Sequence, residues 1–473
     1  MPLRAKGSAP FPREKEEFRP VPARISRAFP SLALAAVLLA AAAGGPLDAL
    51  PEASTGEKAL SAITLSARAA ILIDQATGRV LYARDADAPL VPASLAKLMC
   101  LHIVYEKLAD RSIRRDDVVS LSANAWAANQ APGSSVMNLG PGQIVTVAEL
   151  MKGVAIASGN DAAAALAEYV AGSADRFVRM MNDEARFLGY ARTLFTDPAG
   201  VRGDNRTTAR EFADFCRRYI EAHPEALGEL HSLREFDYPL PRNLPGGSLP
   251  DRLTKKQFNG NFLVWDDFGV DGLKTGHLDD ENFTAAFTAK RGGTRLVAVL
   301  LGVPGRTLAE GARRRSEDGM ALLSSGFRNY STVELDPPRL APVRVWKGAV
   351  REAPVAAEGP VRLTVSKGEM QALMYTVEIP RAVIAPVARG QRVGRIVYFA
   401  EGAEVGRVDL VATGDVGGAG LLRSIWDSVL LGLSGAGKGA ITVRKNPVPE
   451  EPLDTAPQAA LSSPSSSEEG KGG

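Results

Sequence analysis

From residue 70 onward the chain alternates short apolar runs with longer amphipathic stretches. Residues 70–74 (AILID) and 79–84 (RVLYAR) are β-type runs separated by Gln75-Ala76-Thr77-Gly78, which predicts a hairpin. From Ser94 to Ala109 the apolar positions Leu95, Leu98, Met99, Ile103 and Leu108 fall at helical spacing. Two more helices are predicted over 148–157 and 161–170, broken by Ser158-Gly159-Asn160. Residues 270–277, 283–289 and 295–303 read as neighbouring strands, and Gly292-Gly293 turns the chain between the last two. Residues 320–323 belong to a closing helix that ends at Gly326. A helical cluster inserted between the strands of one antiparallel sheet is an α+β arrangement, expected over 60–330.

The texture then changes. Short β-type runs at 343–346, 361–365, 375–379, 394–399 and 407–411, punctuated by Lys367-Gly368 and Arg389-Gly390, predict a small all-β domain over 335–416. Within 420–434, the stretch from Leu421 to Leu433 (LLRSIWDSVLLGL) places Leu422, Ile425, Trp426, Val429, Leu430 and Leu433 on one helical face, with Arg423 and Asp427 off it. A terminal amphipathic helix with an interfacial Trp suits a bilayer surface; packing on the β-domain is the alternative. Residues 435–473 are of low complexity and are expected to be disordered.

Ahead of the folded region, a basic stretch ending at Arg27 precedes the apolar run at 32–43 (LALAAVLLAAAA) and then small residues. That is the layout of a secretory signal over 1–45, and the run falls short of the ~20 apolar residues that span a bilayer. A segment left uncleaved would act as an N-terminal anchor. Across 473 residues the formal net charge is only +2, which gives no support to a nucleic-acid partner. Cys100 and Cys216 are too few for a disulfide framework and read as small buried hydrophobes. The histidines His102, His223, His231 and His277 are scattered without metal-ligand spacing, so neither a metal nor a cofactor is expected.

Three short motifs carry the chemistry. Ser94-Leu95-Ala96-Lys97 sets a serine and a lysine on one face of a helix start. A serine hydroxyl is a weak nucleophile until a base accepts its proton, and a lysine serves only if burial or nearby positive charge lowers its pKa. Alone, this pattern arises by chance about once in a chain of this length, as an N-cap serine with a surface lysine. Ser158-Gly159-Asn160 offers a hydroxyl to relay a proton and an amide to hold a carbonyl and the first lysine; alone it is an interhelix loop. Lys274-Thr275-Gly276 lies on a β-type run, where a cation and a hydroxyl can meet a peptide carboxylate at a strand edge. Alone it is a strand end. Their order, and the element on which each falls, make coincidence a poor account of all three.

With these motifs, and with the echoes LFTDPAG at 194–200 and TTAREF at 207–212, the chain resembles the low-molecular-weight penicillin-binding proteins that are D-alanyl-D-alanine carboxypeptidases. The resemblance runs over roughly 70–433. It implies a β-lactamase/transpeptidase-like fold and attack by Ser94, with Lys97 as base, on a peptidoglycan stem peptide. It implies catalytic roles for Ser158 and Asn160, and substrate binding by Lys274, Thr275, Gly276 and His277. It also implies trapping of Ser94 by β-lactam antibiotics, and an oxyanion hole from the Ser94 N–H and one near His277. Arg315, placed ahead of the last helix by spacing back from Gly326-Phe327, is the matching position for a carboxylate-binding arginine. The amphipathic helix resembles the family's membrane anchor, which implies export to the periplasmic side of the cell membrane. Departures follow the third motif, where the segment from Leu278 to Phe283 replaces the usual Ala-Gly pair and adds Asp279, Asp280 and Glu281. Asp197 stands where the family usually has asparagine.

Two other functions compete. A class A β-lactamase needs a glutamate-activated water, and no E-x-x-L-N segment occurs between Asn160 and Lys274. A non-catalytic peptidoglycan-binding envelope protein is the other, supported only by the altered segment after Gly276. A nucleotide site at 432–438 (GLSGAGK) fails because Gly439 replaces the required Ser or Thr.

Overall fold

A computed structural model describes residues 63–244, 255–266, 268–434 and 440–445. The expected signal segment at 1–45 and the tail at 446–473 lie outside the described residues. Five antiparallel strands form the central sheet: β1 (Ala69–Asp74), β2 (Val80–Arg84), β3 (Val270–His277), β4 (Phe283–Arg291) and β5 (Thr294–Val303), in the spatial order β2-β1-β5-β4-β3. Both faces are covered. Ile71, Ile73, Val297 and Val299 pack into a helical cluster, while Leu72, Phe287, Leu296 and Leu300 pack under a closing helix. Double coverage explains why the central strands read as nearly continuous apolar runs and not as alternating ones.

The cluster comprises α1 (Ala96–Ala109), α2 (Val147–Ala155), α3 (Asn160–Ala171), α4 (Ala174–Phe187) and α5 (Ala209–Ala222); the closing helix is α6 (Leu308–Asn329). Every residue of α1 from Ala96 to Tyr105 is buried, so α1 is the axle of the domain. Threonine caps start three of the other helices: Thr146 accepts from the Glu149 N–H, Thr208 from that of Glu211 and Thr307 from that of Glu310. The closing helix starts well before the predicted 320–323, because the Thr307 cap precedes its apolar face. Arg315 therefore sits inside α6, not ahead of it.

Beyond α6 the chain builds a β-rich region. Tyr330–Leu335 pairs with Val361–Ser366, and a five-stranded sheet runs Val355–Ala357, Ala403–Ala412, Arg392–Ala400, Met374–Pro380, Ala440–Lys445. Leu363, Val377, Ile396, Tyr398 and Leu410 fill its core. The loop after β1 docks on this region: Arg79 donates to Glu369 at 2.5 and 2.9 Å, and the Thr77 and Thr364 hydroxyls lie 2.6 Å apart. The expectation of disorder over 435–473 is corrected at Ala440–Lys445, whose β-branched residues (AITVRK) add an edge strand to Met374–Pro380.

The helix Leu421–Ser434 turns its polar side to the β-region. Asp427 is buried and accepts from the Lys347 N–H at 2.6 Å, and Arg423 donates to the Ala349 carbonyl at 3.2 Å. Leu421, Leu422, Ile425, Trp426 and Val429 are exposed. No helix among the described residues is long and apolar enough to cross a membrane.

Candidate active site

The chain enters α1 through a short 3₁₀ turn, Ala93–Leu95, which carries Ser94. Ala93 is held at φ 49°, a left-handed conformation that costs a residue with a β-carbon ~1 kcal/mol or more. Two neighbours hold it there. Thr284 of β4 donates its hydroxyl to the Pro92 carbonyl at 3.0 Å. Gly200, at φ 74°, comes so near that a β-carbon on it would stand 1.9 Å from the Ala93 oxygen. Gly276 of β3 is equally required: a β-carbon there would lie 2.8 Å from the Ser94 nitrogen. The edge strand therefore runs directly against the serine turn.

Lys97, in the first turn of α1, is completely buried. Its Nζ donates to Ser94 Oγ at 3.0 Å, Asn160 Oδ1 at 2.8 Å and the Ala199 carbonyl at 2.9 Å. Burial lowers its pKa to about 8, against the opposing pull of Asp197 and Asp161. At neutral pH roughly a tenth of the molecules then hold it uncharged. A neutral amine keeps two N–H donors and one lone pair. Asn160 Oδ1 and the Ala199 carbonyl can only accept, so they take the two donors and leave the lone pair to the serine O–H.

Ser158 sits at φ 56° between α2 and α3, and its hydroxyl accepts from Lys274 Nζ at 3.0 Å. Lys274 also donates to the Thr275 carbonyl at 2.8 Å. Burial, followed by the charges of Lys97 and Arg315, depresses the Lys274 pKa well below that of an ordinary lysine. Arg315 reaches over from α6 and donates to the carbonyls of Gly276 at 2.8 Å and Gly260 at 3.2 Å. Its burial lowers its pKa to about 10, and its Nε has no hydrogen-bond partner among the described residues.

Ser94, Ser158, Asn160, Lys274, Thr275, Gly276, His277 and Arg315 all line one cleft of ≈ 1060 Å³; Lys97 lies beneath its floor. Thr275 is buried, whereas His277 is exposed and its ring lies 4.2 Å from that of Phe283. Burial and the charge of Arg315 lower the His277 pKa. The altered segment is an ordered hairpin turn. Leu278 N–H donates to the Asn282 carbonyl at 3.2 Å, Asp279 accepts from the Asn282 amide at 2.7 Å, and the Gly305 N–H donates to the Asp280 carbonyl at 2.8 Å.

Sequence reasoning missed the Ala199 carbonyl and what holds it. Asp197 accepts from the N–H groups of Ala199, Gly200, Val201 and Arg202 and from the Asn205 amide, at 2.6–3.1 Å. The LFTDPAG echo was the available signal. Asp161 was also missed. It accepts from the Met137 and Leu139 N–H groups at 2.9 and 3.0 Å and so fixes the loop facing Ser158. Cys100 and Cys216 are buried free thiols, and burial raises the pKa of both. The absence of metal-ligand spacing needs one correction: His102 and His223 converge, with Nδ1 and Nε2 2.8 Å apart, away from the cleft.

The family model described as D-alanyl-D-alanine carboxypeptidase matches residues 55–305, and that of the penicillin-binding protein 5 C-terminal domain matches 337–417. The D-alanyl-D-alanine carboxypeptidase DacC of Escherichia coli (strain K12) is 35% identical over 389 residues, covering 80% of this chain and 92% of the relative. The crystal structure of penicillin binding protein 5 from Haemophilus influenzae superposes with a TM-score of 0.67 at 30% identity, covering 75% of this chain and 98% of that one. The D-alanyl-D-alanine carboxypeptidase DacD from Francisella tularensis gives 0.59 at 27% identity, over 75% of this chain and 95% of that one.

Proposed function

This chain belongs to the D-alanyl-D-alanine carboxypeptidase family, and from that premise we propose that it removes the terminal D-alanine of peptidoglycan stem pentapeptides through an acyl-enzyme on Ser94. It is a serine-type peptidase. The observation that carries the residue assignment is the buried Lys97 amine, 3.0 Å from Ser94 Oγ with its pKa lowered to about 8. Neutral Lys97 takes the hydroxyl proton as Oγ bonds to the carbonyl carbon of the penultimate D-alanine. The Ser94 N–H, kept clear by Gly276, faces the oxygen that gains charge, together with an N–H near His277. Collapse breaks the peptide bond. The leaving amine takes the proton that Lys97 accepted, relayed by way of Ser158, whose hydroxyl is hydrogen-bonded to Lys274, and Lys97 is neutral again. Water then cleaves the ester, returns Oγ–H to Ser94 and releases the shortened peptide.

The substrate carboxylate is met by Lys274 and Thr275 on β3, the outermost strand of the sheet, with Arg315 adding charge from behind. A β-lactam carries the same carboxylate and reactive carbonyl, but its leaving nitrogen stays tethered, so the acyl-enzyme persists. Digestion of a muropeptide pentapeptide tests the assignment. Wild type is expected to release D-alanine, and Ser94→Ala to lose ~10³-fold or more of the rate. Undiminished release by Ser94→Ala would overturn it.

Catalysis is assigned to 60–330 and membrane-surface attachment to 420–434. Supports for attachment are the exposed Leu421, Leu422, Ile425 and Trp426 beside a polar side spent on the β-region. The signal pattern at 1–45 supports export, which puts the enzyme on the side of the membrane where peptidoglycan is built.

A further inference from the structure

We propose that His102, Glu106 and His223 form a transition-metal site, with Zn²⁺ the best-matched ion, at the end of α1 away from Ser94. His102 and Glu106 stand at i and i+4 on α1 and so share one helix face. His223, the residue that ends α5, meets them from across the helical cluster. One atom from each of the three lies within 4.8 Å of the other two. His223 Nε2 is 2.8 Å from His102 Nδ1 and 3.6 Å from Glu106 Oε1. Ligand atoms ~2.0–2.1 Å from a tetrahedral Zn²⁺ stand roughly 3.3–3.4 Å apart, a spacing these two distances bracket.

The surroundings fit a ligand set better than an isolated histidine pair. His102 Nε2, on the far side of its ring, lies 3.4 Å from Glu184 Oε1. A ligating imidazole whose other nitrogen faces a carboxylate is the usual outer arrangement of a zinc site, because it fixes the tautomer and strengthens the donor. The rings are also held in place. Tyr105 stacks on His223 at 4.8 Å, and Phe215 meets His102 edge-on at 5.8 Å. His102 and His223 are buried, whereas Glu106 is exposed and opens one side to water as a fourth ligand.

Two imidazoles and one carboxylate with an open position suit Zn²⁺ over the hard cations, which prefer oxygen ligands alone. The site shares no lining residue with the active-site cleft: the adjoining cavity, ≈ 250 Å³, is bounded by His102, Phe215, Arg218 and Tyr219 among others. Its role is therefore structural. A bound ion ties α1, whose first turn holds Lys97, to the end of α5, and stabilises the fold by mass action.

Calorimetric titration of the chelator-stripped full chain with ZnCl₂ tests this. The wild type is expected to bind one Zn²⁺ per chain, with a rise in melting temperature. Glu106→Gln, an exposed change that leaves packing intact, and His223→Gln are each expected to weaken binding by about tenfold or more and to remove the rise. Glu184→Gln is expected to weaken it by about 10–100-fold without removing a ligand. Labelling of each variant by a fluorescent penicillin verifies that it has folded. No stoichiometric binding by the wild type, or equal affinity in the wild type, Glu106→Gln and His223→Gln, overturns the proposal.

Discussion

In the proposed mechanism the chemistry turns on Lys97, and the environment of that residue yields a pH prediction. Only the uncharged amine can accept the Ser94 proton. Its pKa, lowered by burial to about 8, makes the neutral fraction rise through that value as pH increases. The second-order rate of acylation by a penicillin is therefore expected to climb about tenfold per pH unit below ~7 and to level off above ~8. A stopped-flow profile checks this, and a flat profile between pH 6 and 8 contradicts a lysine base. Identity of side chain and spacing made Ser94, Lys97, Ser158, Asn160, Lys274 and Thr275 visible in the sequence, because each contributes a distinctive functional group. The Ala199 carbonyl was invisible for the opposite reason. Any residue could supply that oxygen, and what makes it an acceptor for Lys97 is the loop that Asp197 ties together. The convergence of His102 with His223 was equally illegible, since 121 positions separate them and no local spacing marks the pair.

Element-level patterns explain which parts of the fold could be read. The strands of the sheet announced themselves as apolar runs, yet α4 and α5 were overlooked although Ser173 and Thr208 cap them. Only a narrow stripe of α4 is buried, Phe177, Met181 and Ala185, and the broader apolar face of α5 is interrupted along the chain by Arg210, Glu211, Asp214, Arg217 and Arg218. The long α6 was truncated in the reading because its first turns are rich in Arg and Glu. The fit of β3 against the serine turn can be tested at the element itself. Alanine at Gly276 would set its β-carbon 2.8 Å from the Ser94 nitrogen and 2.5 Å from Thr284 Oγ1, and neither neighbour can withdraw without moving backbone or breaking the bond to Pro92. Gly276→Ala is expected to cost about 1–3 kcal/mol of stability and to slow penicillin acylation by more than tenfold. Thermal unfolding with a labelling time course measures both. Wild-type acylation in this variant would mean that β3 does not bound the oxyanion site.

At the scale of the whole molecule, the return of the chain at Ala440–Lys445 changes how membrane attachment should be tested. That strand pairs along Met374–Pro380, so cutting the chain after Gly420 would remove a sheet edge as well as the helix. Loss of membrane binding on truncation would then be ambiguous. The helix itself offers a sharper test. Its fourteen residues make it about 21 Å long, short of the ~30 Å hydrocarbon core, so it can lie along a bilayer but not cross one. Asp427 and Arg423 fix its polar side to the β-region, leaving Leu422 88% and Trp426 65% exposed on the opposite side. Leu422→Glu with Trp426→Glu adds charge where both side chains are mostly exposed, so the melting temperature should change little. Burying such side chains in lipid contributes about 1.5–3 kcal/mol each, and losing two should lower partitioning onto anionic vesicles ~100-fold or more. Sedimentation with vesicles, using protein that starts beyond the apolar run at 32–43, measures this directly. Equal partitioning of the wild type and the double variant would assign attachment to another part of the chain, and would leave the exposed helix face as a surface for a protein partner.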